Sequence, residues 1–449
     1  MAYPDKINAL VDIAGTSTLA VVGHAARHND LNDALDELKV VLTVPAANTL
    51  ALAPGGTERL RIDSSGNVGI GTTGAASKFE VNGAAAFAAG TAALPGITTT
   101  GDLNTGVLFP AADTVAVSTG GTERLRVTSA GNVFGVAAQN LLINGGFDVW
   151  QRGTSFTMAT NSQYSADRWL AGGNTGTFSR QSFAVDTITG YQPKYFARWD
   201  ITANSQNYEL SQRIEGVRTL SGQRATVSFW AKSTSSVTVS VRGTQEFGTG
   251  GSPSGAVVFY PVSGGQNISF TSTWTRYSYQ LDVPSISGKT LGTAGDDCLR
   301  FGWQVTNTST GAIDTWGWQV EEGPIASAFQ VKTFGQQLLE CQRYFETSFA
   351  EGTTPADNIS SNQMLTTCNT TLNNSYTSVF FQVKKRASPS VKLYSSTSST
   401  SDTWRWYNAV GSTVDGGVVD ASTRSQFVLY QGDATRNVVV GHYTASSEL

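Results

Sequence analysis

Residues 48–62 (NTLALAPGGTERLRI) recur 65 residues later as 113–127 (DTVAVSTGGTERLRV). Each copy runs on into a Ser-x-Gly-Asn-Val segment, Ser64 to Val68 and Ser129 to Val133. Leu50, Leu52, Leu60 and Ile62 alternate with small or charged residues, which is the period of a half-buried strand. Gly55-Gly56 and Gly120-Gly121 supply the positive φ of a tight hairpin. Each unit of the 45–138 stretch therefore reads as two short hairpins with one thin apolar face. A lone hairpin is marginal in water, and the Ala- and Thr-rich residues 84–100 cannot build a core beside it. The economical solution is to share that face with copies on other chains around an axis, so this part is expected to be an oligomeric β-hairpin shaft.

The segment before it points the same way. Residues 1–20 carry little pattern and read as an arm. In 21–44, Val21, His24, His28, Leu31, Leu35, Leu38 and Leu42 fall at the a and d positions of a coiled coil. Asn29, Asp30, Asp33, Asp36 and Glu37 fall on outward positions, and Ala34 and Val41 at g widen the stripe towards three helices. A single amphipathic helix packed on its own domain is the alternative. In a trimer, His24 and His28 join Leu31, Leu35, Leu38 and Leu42 on the axis. There the two histidines serve either as polar layers that specify register or as ligands for an ion; no metal is assigned to them.

Residues 139–333 read as short strands at 195–201, 208–214, 225–232, 237–242, 274–281, 299–305 and 316–320, joined by Gly/Ser/Thr turns. Strands at this spacing predict a β-sandwich of jelly-roll type. Residues 334–346 switch to helical spacing, with Leu338, Cys341 and Phe345 on one face, and close a 139–346 module. Strands at 379–383, 391–394, 427–430 and 438–443 mark a C-terminal β domain, 347–449. The expected whole is mainly β and elongated, with a short coiled coil at its N-terminal end.

Charge narrows the function classes. Only 14% of residues are Asp, Glu, Lys or Arg and the net charge is −4, with no basic stripe of the kind nucleic acid requires. The apolar runs are too short for a membrane span, and no charged segment precedes an apolar one in the manner of a secretory signal. Cys298, Cys341 and Cys368 form neither a disulfide framework nor a metal-spaced cluster. No cofactor is expected.

Catalysis is not expected either. Glycoside hydrolysis needs two carboxylates roughly 5–9.5 Å apart. Glu209 and Glu215 share a strand face, but their Cα atoms would lie roughly 20 Å apart. Glu321 and Glu322 point to opposite faces, and Asp296-Asp297 sits in a turn. Two of the three histidines belong to the coiled coil and the third is His442. No Ser/His/Asp or Cys/His set and no phosphate-binding glycine pattern is visible.

Two places are candidates for binding. On strand 225–232, Val227, Phe229 and Ala231 form the apolar set, opposite Thr226, Ser228, Trp230 and Lys232. On 274–281, Tyr277, Tyr279 and Leu281 oppose Trp274, Arg276 and Ser278. Tryptophans that share a face with hydrogen-bonding side chains suit a pyranose, which has an apolar face and polar edges. The alternative is that Trp230 and Trp274 are core residues covered by a loop or a neighbouring chain. Trp199, Trp303, Trp316 and Trp318 alternate in the manner of core residues. Farther on, seven consecutive Ser/Thr residues, 395–401, lead into Trp404, Trp406 and Tyr407, either a recognition loop with rigid aromatics or one buried strand face.

These segments together resemble bacteriophage tail fibre proteins. GTERLRIDSSGNVGIGT (56–72) and GDLNTGVLFPAAD (101–113) are similar to repeats of fibre shafts. NLLINGGFDVWQRG (140–153), YSADRW (164–169), WQVEEG (318–323) and CQRYF (341–345) resemble the opening and close of carbohydrate-binding-like sandwiches in tail proteins. HAARHNDL (24–31) resembles the linker that follows a virion-attachment arm. The second repeat lacks the Gly-Ile-Gly-Thr ending after Val133, and the C-terminal domain matches loosely. The resemblance implies a homotrimer in the virion, docked by residues 1–20 to a tail or baseplate protein and touching host surface polysaccharide such as lipopolysaccharide at its far end. A purely structural tail component and a polysaccharide depolymerase are the alternatives it leaves open.

Overall fold

The computed structural model describes residues 42–43, 49–53, 56–134, 139–158, 162–173, 175–202, 208–235, 237–306, 310–360, 364–367, 369–371, 374–396, 404–408, 413–431 and 436–449. His24, His28, Leu31, Leu35 and Leu38, with the rest of the expected coiled coil up to residue 41, lie outside the described residues. Among the described residues the chain is mainly β with one short helix, and it divides into two compact units, 1–89 and 90–449.

The first unit holds a five-stranded sheet in sequence order: Leu42–Thr43, Leu50–Leu52, Leu60–Ile62, Val68–Ile70 and Phe79–Val81. Leu42, expected at the end of the helix, is instead a strand residue opposite Leu52. Register sets Leu50, Ile62, Val68 and Phe79 in one cross-strand row and Leu52, Leu60, Ile70 and Val81 in the next. One face is thus wholly apolar, and Leu50, Ile62, Ile70 and Phe79 remain 38%, 36%, 38% and 57% exposed within the single chain. Rather than two hairpins, each repeat contributes to a five-stranded sheet of sequence neighbours.

The second repeat, in the other unit, builds Ile97–Thr99, Asp102–Leu108, Val115–Thr119, Thr122–Val127 and Val133–Phe134. Its hairpin turns on Gly120 and Gly121, both at positive φ (57° and 74°), the backbone that a two-residue turn between twisted strands demands. The copies share their details. Arg61 clasps Glu58 with bonds of 2.5 and 2.7 Å, and Arg126 clasps Glu123 with 2.6 and 2.7 Å. Gly66 and Gly131 each donate 2.9 Å bonds back to the third residue before them.

The sandwich has two sheets. One runs Ser155–Thr157, Thr177–Ser182, Tyr195–Ile201, Gly311–Glu322, Arg224–Ser233, Thr275–Asp282. The other runs Gln163–Tyr164, Trp169–Gly172, Glu209–Glu215, Cys298–Val305, Thr238–Glu246, Val257–Phe259, with Ile268–Ser269 also on Thr238–Glu246. Trp169, Trp199, Trp303, Trp318 and Phe229 fill the space between them, and Phe229 stacks on Trp318 at 4.3 Å. Trp316 departs from the expected pattern. Ser228 faces Gln319, but Trp230 faces Trp316, so the 311–322 strand carries one extra residue. Gly317, at φ 68°, absorbs that bulge, and Trp316 emerges on the outer side of its sheet with Trp230.

The helix Phe334–Gln342 starts at a capping box in which Thr333 accepts from Gln336 N and the Gln336 side chain reaches back to the Thr333 N–H. It ends before Phe345, which belongs to strand Phe345–Thr347. A nine-stranded sheet follows, ordered Phe345–Thr347, Arg436–Ser446, Trp404–Asn408, Thr413–Ser422, Gln426–Gln431, Asn374–Phe380, Asn369–Thr371, with Met364–Thr367 and Ser390–Tyr394 also on Arg436–Ser446. Trp404, Phe427, Leu429, Val439 and Tyr443 form its core. Buried charges hold this sheet together and, through Glu448, tie it to the sandwich. Lys385 and Glu346 pair at almost zero exposure, the Tyr443 hydroxyl donates to Glu346 at 2.7 Å, and Glu448 lies between Arg152 and Arg168.

Candidate functional site

The outer side of the Arg224–Ser233 sheet carries a second apolar layer. Trp230, Trp316, Phe196, Ile188 and Phe329 are buried in it, and Phe183, Tyr191 and Trp274 complete its margin. The stretch 183–194, which shows no strand alternation, folds back over the sheet, so Tyr191 meets Trp230 edge-on at 5.3 Å and Trp316 at 5.5 Å. The Tyr191 hydroxyl is fixed in turn, accepting from Phe329 N at 2.8 Å.

This cover decides the fate of the sequence candidates. Trp230, Lys232, Trp274 and Arg276 do share the outer side. Trp230, however, is 9% exposed and lies beneath Tyr191 and Arg276, whose guanidinium sits 4.8 Å from its ring. It supports the surface rather than forming it. Trp274 is half-buried against Phe183 and Phe196. Lys232 lies 5.4 Å from the Trp274 ring and 3.4 Å from Asp314, which Arg198 already holds bidentately at 2.7 and 2.9 Å.

Above this layer opens a groove of about 560 Å³. Tyr191, Trp316 and Phe329, from the covered layer, form its base, and Lys194, Tyr195, Val331, Lys332 and Phe334 also line it. Asp148, Gln337 and Glu351 belong to the same lining. Phe334, the first helical residue, is 45% exposed. Gln337, one turn along the same helix, donates to Asp148 Oδ2 at 2.9 Å. Burial pushes the Asp148 carboxyl up, the Gln337 hydrogen bond opposes this, and Glu351 adds to it while Lys194 acts against it. Lys332 is anchored to Glu340 at 2.8 and 2.9 Å, and Glu351 accepts from Trp150 N and Arg180, each at 3.2 Å. Aromatic surface with donors and acceptors at its edges is the complement of a sugar ring, and the volume lies within the roughly 300–1,000 Å³ usual for small-ligand sites.

None of these groove residues except Tyr195 and Trp316 is marked by strand periodicity. Phe334 and Val331 could have been flagged as large apolar residues around a capping box, where a helix start leaves them outside its packed face.

In the C-terminal sheet, Trp404 is fully buried and its Nε1 donates to His442 O. The indole is core, because the small Gly441 leaves room for its ring on the neighbouring strand. Trp406 and Tyr407 continue that strand, pairing with Val439 and Val438; their side chains lie outside the described set. Ser395 and Ser396 are buried, at 0% and 2%, so the Ser/Thr run begins inside the domain, and 397–401 lie outside the described residues. A different aromatic surface is present instead. Tyr376 and Tyr430 are a cross-strand pair 5.1 Å apart, and Phe380, on the same face as Tyr376, is 68% exposed.

Of the carboxylates weighed for catalysis, Glu209, Glu215 and Glu321 are engaged. Glu209 takes Arg242 at 2.7 Å and Arg300 at 2.6 Å, and Glu215 takes Arg343 and the Tyr344 hydroxyl. Glu321 is buried and accepts from Ser327. Among the described residues no group of three or more His, Cys, Asp or Glu is placed to hold a metal, and no helix is long and apolar enough to cross a membrane.

No protein family matches the chain, and no curated protein does. Solved structures with partial similarity include the enzymatically active domain of bacteriophage CBA120 tailspike protein 4, at 12% identity and TM-score 0.25, over 41% of this chain and 21% of that one. The CBM22-1 xylan-binding domain from Paenibacillus barcinonensis Xyn10C aligns at 13% identity and TM-score 0.25, over 42% of this chain and 97% of the other. TmCBM61, in complex with β-1,4-galactotriose, gives 13% and 0.25, over 41% and 100%. The matched stretch is thus about a fifth of the tailspike chain.

Proposed function

We propose that this chain is a phage tail fibre that attaches the virion to its host by binding surface glycan non-covalently through its C-terminal β domains. The observation that carries the reading is the groove over the outer sheet, where Tyr191, Phe329 and Phe334 present aromatic surface beside Asp148, Lys194, Gln192 and Gln337. The repeats support a fibre: a sheet with one wholly apolar, exposed face is completed by copies of itself, and a homotrimer on a common axis does this with the N-terminal end at the tail or baseplate. Binding without turnover is favoured by the arginine pairs that hold Glu209, Glu215 and Glu246, which leave those carboxylates no free role.

The test is a glycan array probed with the full chain and with Phe334→Ala, alongside a reducing-sugar assay on every polysaccharide that binds. Retention on a surface polysaccharide, weakened in the variant, with no new reducing ends, is the expected result. Release of reducing ends would move the chain to the depolymerase reading, and no retention on any glycan would move it to a purely structural role.

A further inference from the structure

A second concavity, of about 390 Å³, lies between strand Thr122–Val127 of the second repeat and strand Thr275–Asp282 of the sandwich, with Pro324–Ala326 along its edge. It shares no lining residue with the aromatic groove. Four charged side chains border it: Glu123, Arg124, Arg126 and Arg276. Glu123 and Arg126 neutralise each other through a bidentate ion pair. Arg224, whose charge Arg126 feels, is likewise held by Asp282.

Arg124 and Arg276 are different. Among the described residues neither has a carboxylate within ion-pair distance. Arg124 is exposed and uses Nε on Thr119 Oγ1 at 3.2 Å. Arg276 is fixed by Ser228 Oγ at 3.2 Å, by Ser327 O and by the Trp230 ring at 4.8 Å, while its Nε is buried with no hydrogen-bond partner. The acid closest in effect, Glu321, is fully buried and occupied by Ser327. Burial and Arg124 both act against the charge of Arg276. Two guanidinium groups are therefore brought to one half-enclosed pocket with no compensating acid. Such an arrangement is relieved by an oxyanion, which guanidinium groups hold through charge-assisted, often bidentate hydrogen bonds.

We infer that this pocket is a subsite for an acidic saccharide, with the carboxylate of a uronic acid between Arg124 and Arg276 and the sugar hydroxyls facing Thr122, Ser278 and Gln280. The inference rests on the glycan-binding reading for the nature of the ligand, but the site is separate from the groove and fails separately. The anion is the shared chemistry, and a free phosphate could supply it as well as a sugar.

Calorimetric titration of the full chain with trigalacturonate, its carboxyl-reduced counterpart and inorganic phosphate distinguishes these sources. The acidic trisaccharide should bind about tenfold more tightly than the reduced one, and less tightly as salt rises. Arg124→Gln and Arg124→Glu, at an exposed position, should remove that preference without altering the melting temperature. Phe334→Ala should lower the affinity for whatever neutral sugar the groove takes and leave the preference for acid intact. Equal affinity for the acidic and reduced trisaccharides, or a preference that survives both Arg124 variants, would overturn the assignment. Displacement of trigalacturonate by an equal concentration of phosphate would overturn its saccharide part.

Discussion

Trp316 and Trp318, two residues apart on one strand, lie on opposite sides of their sheet: Trp318 stacks on Phe229 inside the sandwich at 4.3 Å, and Trp316 packs on Trp230 outside it at 5.2 Å. The single residue between them, Gly317, makes this possible, and through it the bulge supplies part of the base of the groove.

Gly317→Ala should therefore be disproportionately harmful. The position has φ 68°, and a Cβ there would stand 2.6 Å from Trp230 Cε3 and 2.9 Å from Cζ3. Left-handed strain and overpacking together predict a loss of roughly 2–4 kcal/mol, readable as a lower urea midpoint. An unchanged midpoint would mean that the bulge is not needed to separate the two indoles.

Trp230→Ala and Phe334→Ala should behave oppositely. The first removes a buried ring beneath Tyr191 and should cost about 3–5 kcal/mol of stability, with binding lost as a consequence. The second trims a ring that is 45% exposed and should leave the melting temperature nearly unchanged while weakening glycan binding about fivefold to tenfold. Normal folding of Trp230→Ala would contradict the covered layer described above.

Asp167 gives a pH signature. Its fully buried carboxyl accepts from Gln151 N at 2.6 Å and from the Gln151 amide at 2.9 Å, yet burial outweighs these bonds and Arg152 and raises it from 3.8 to about 6. Between those two values the folded chain holds a proton that the unfolded chain has released, so stability falls as pH rises across that window. Below it both states are protonated, and above it both are ionised. The stability difference between wild type and Asp167→Asn, followed by denaturant unfolding from pH 4 to 7, should shrink as pH rises through the window. A difference that is flat or grows with pH would count against the raised carboxyl.

The assembly is tested at the repeat. Ile62→Asp combined with Ile70→Asp places two charges on the apolar face of the first sheet. Light scattering should give three subunit masses for the wild type and fewer for the variant, with the near-ultraviolet signal of the sandwich tryptophans preserved. A single subunit mass for the unaltered chain would remove the trimer.

Sequence periodicity reads the sandwich well where register is unbroken. Tyr195–Ile201 is legible to the residue, and the alternation of Phe229 with Trp230 correctly assigns one to each side. It misreads Trp316, because a two-residue period assumes that no residue is inserted; the Gly in Trp-Gly-Trp was the available signal of a bulge. The groove is harder to foresee. Tyr191 and Phe329 touch across 138 residues, and Asp148 meets Gln337 across 189. Contacts of that kind arise from how a covering loop and a helix start settle on a sheet, and no local pattern encodes them. Leu42 shows the converse: the apolar residue that the heptad spacing takes in as its last a position is the first residue of a strand, where an apolar side chain is equally expected.

The buried charges around Glu346 bear on how such a chain could exchange parts with another. Residues 345–347 pair with the last long strand, and Glu346 serves Lys385, Tyr443 and Gln382 N together. A splice at 346/347 would hand a newcomer tip an acid with no matching lysine and leave Arg152 and Arg168 without Glu448. A splice near 89/90, where the chain divides into its two units, leaves all of these partners in one piece. Shuffled descendants that keep the sandwich and the final sheet as a single inherited block are what this wiring permits.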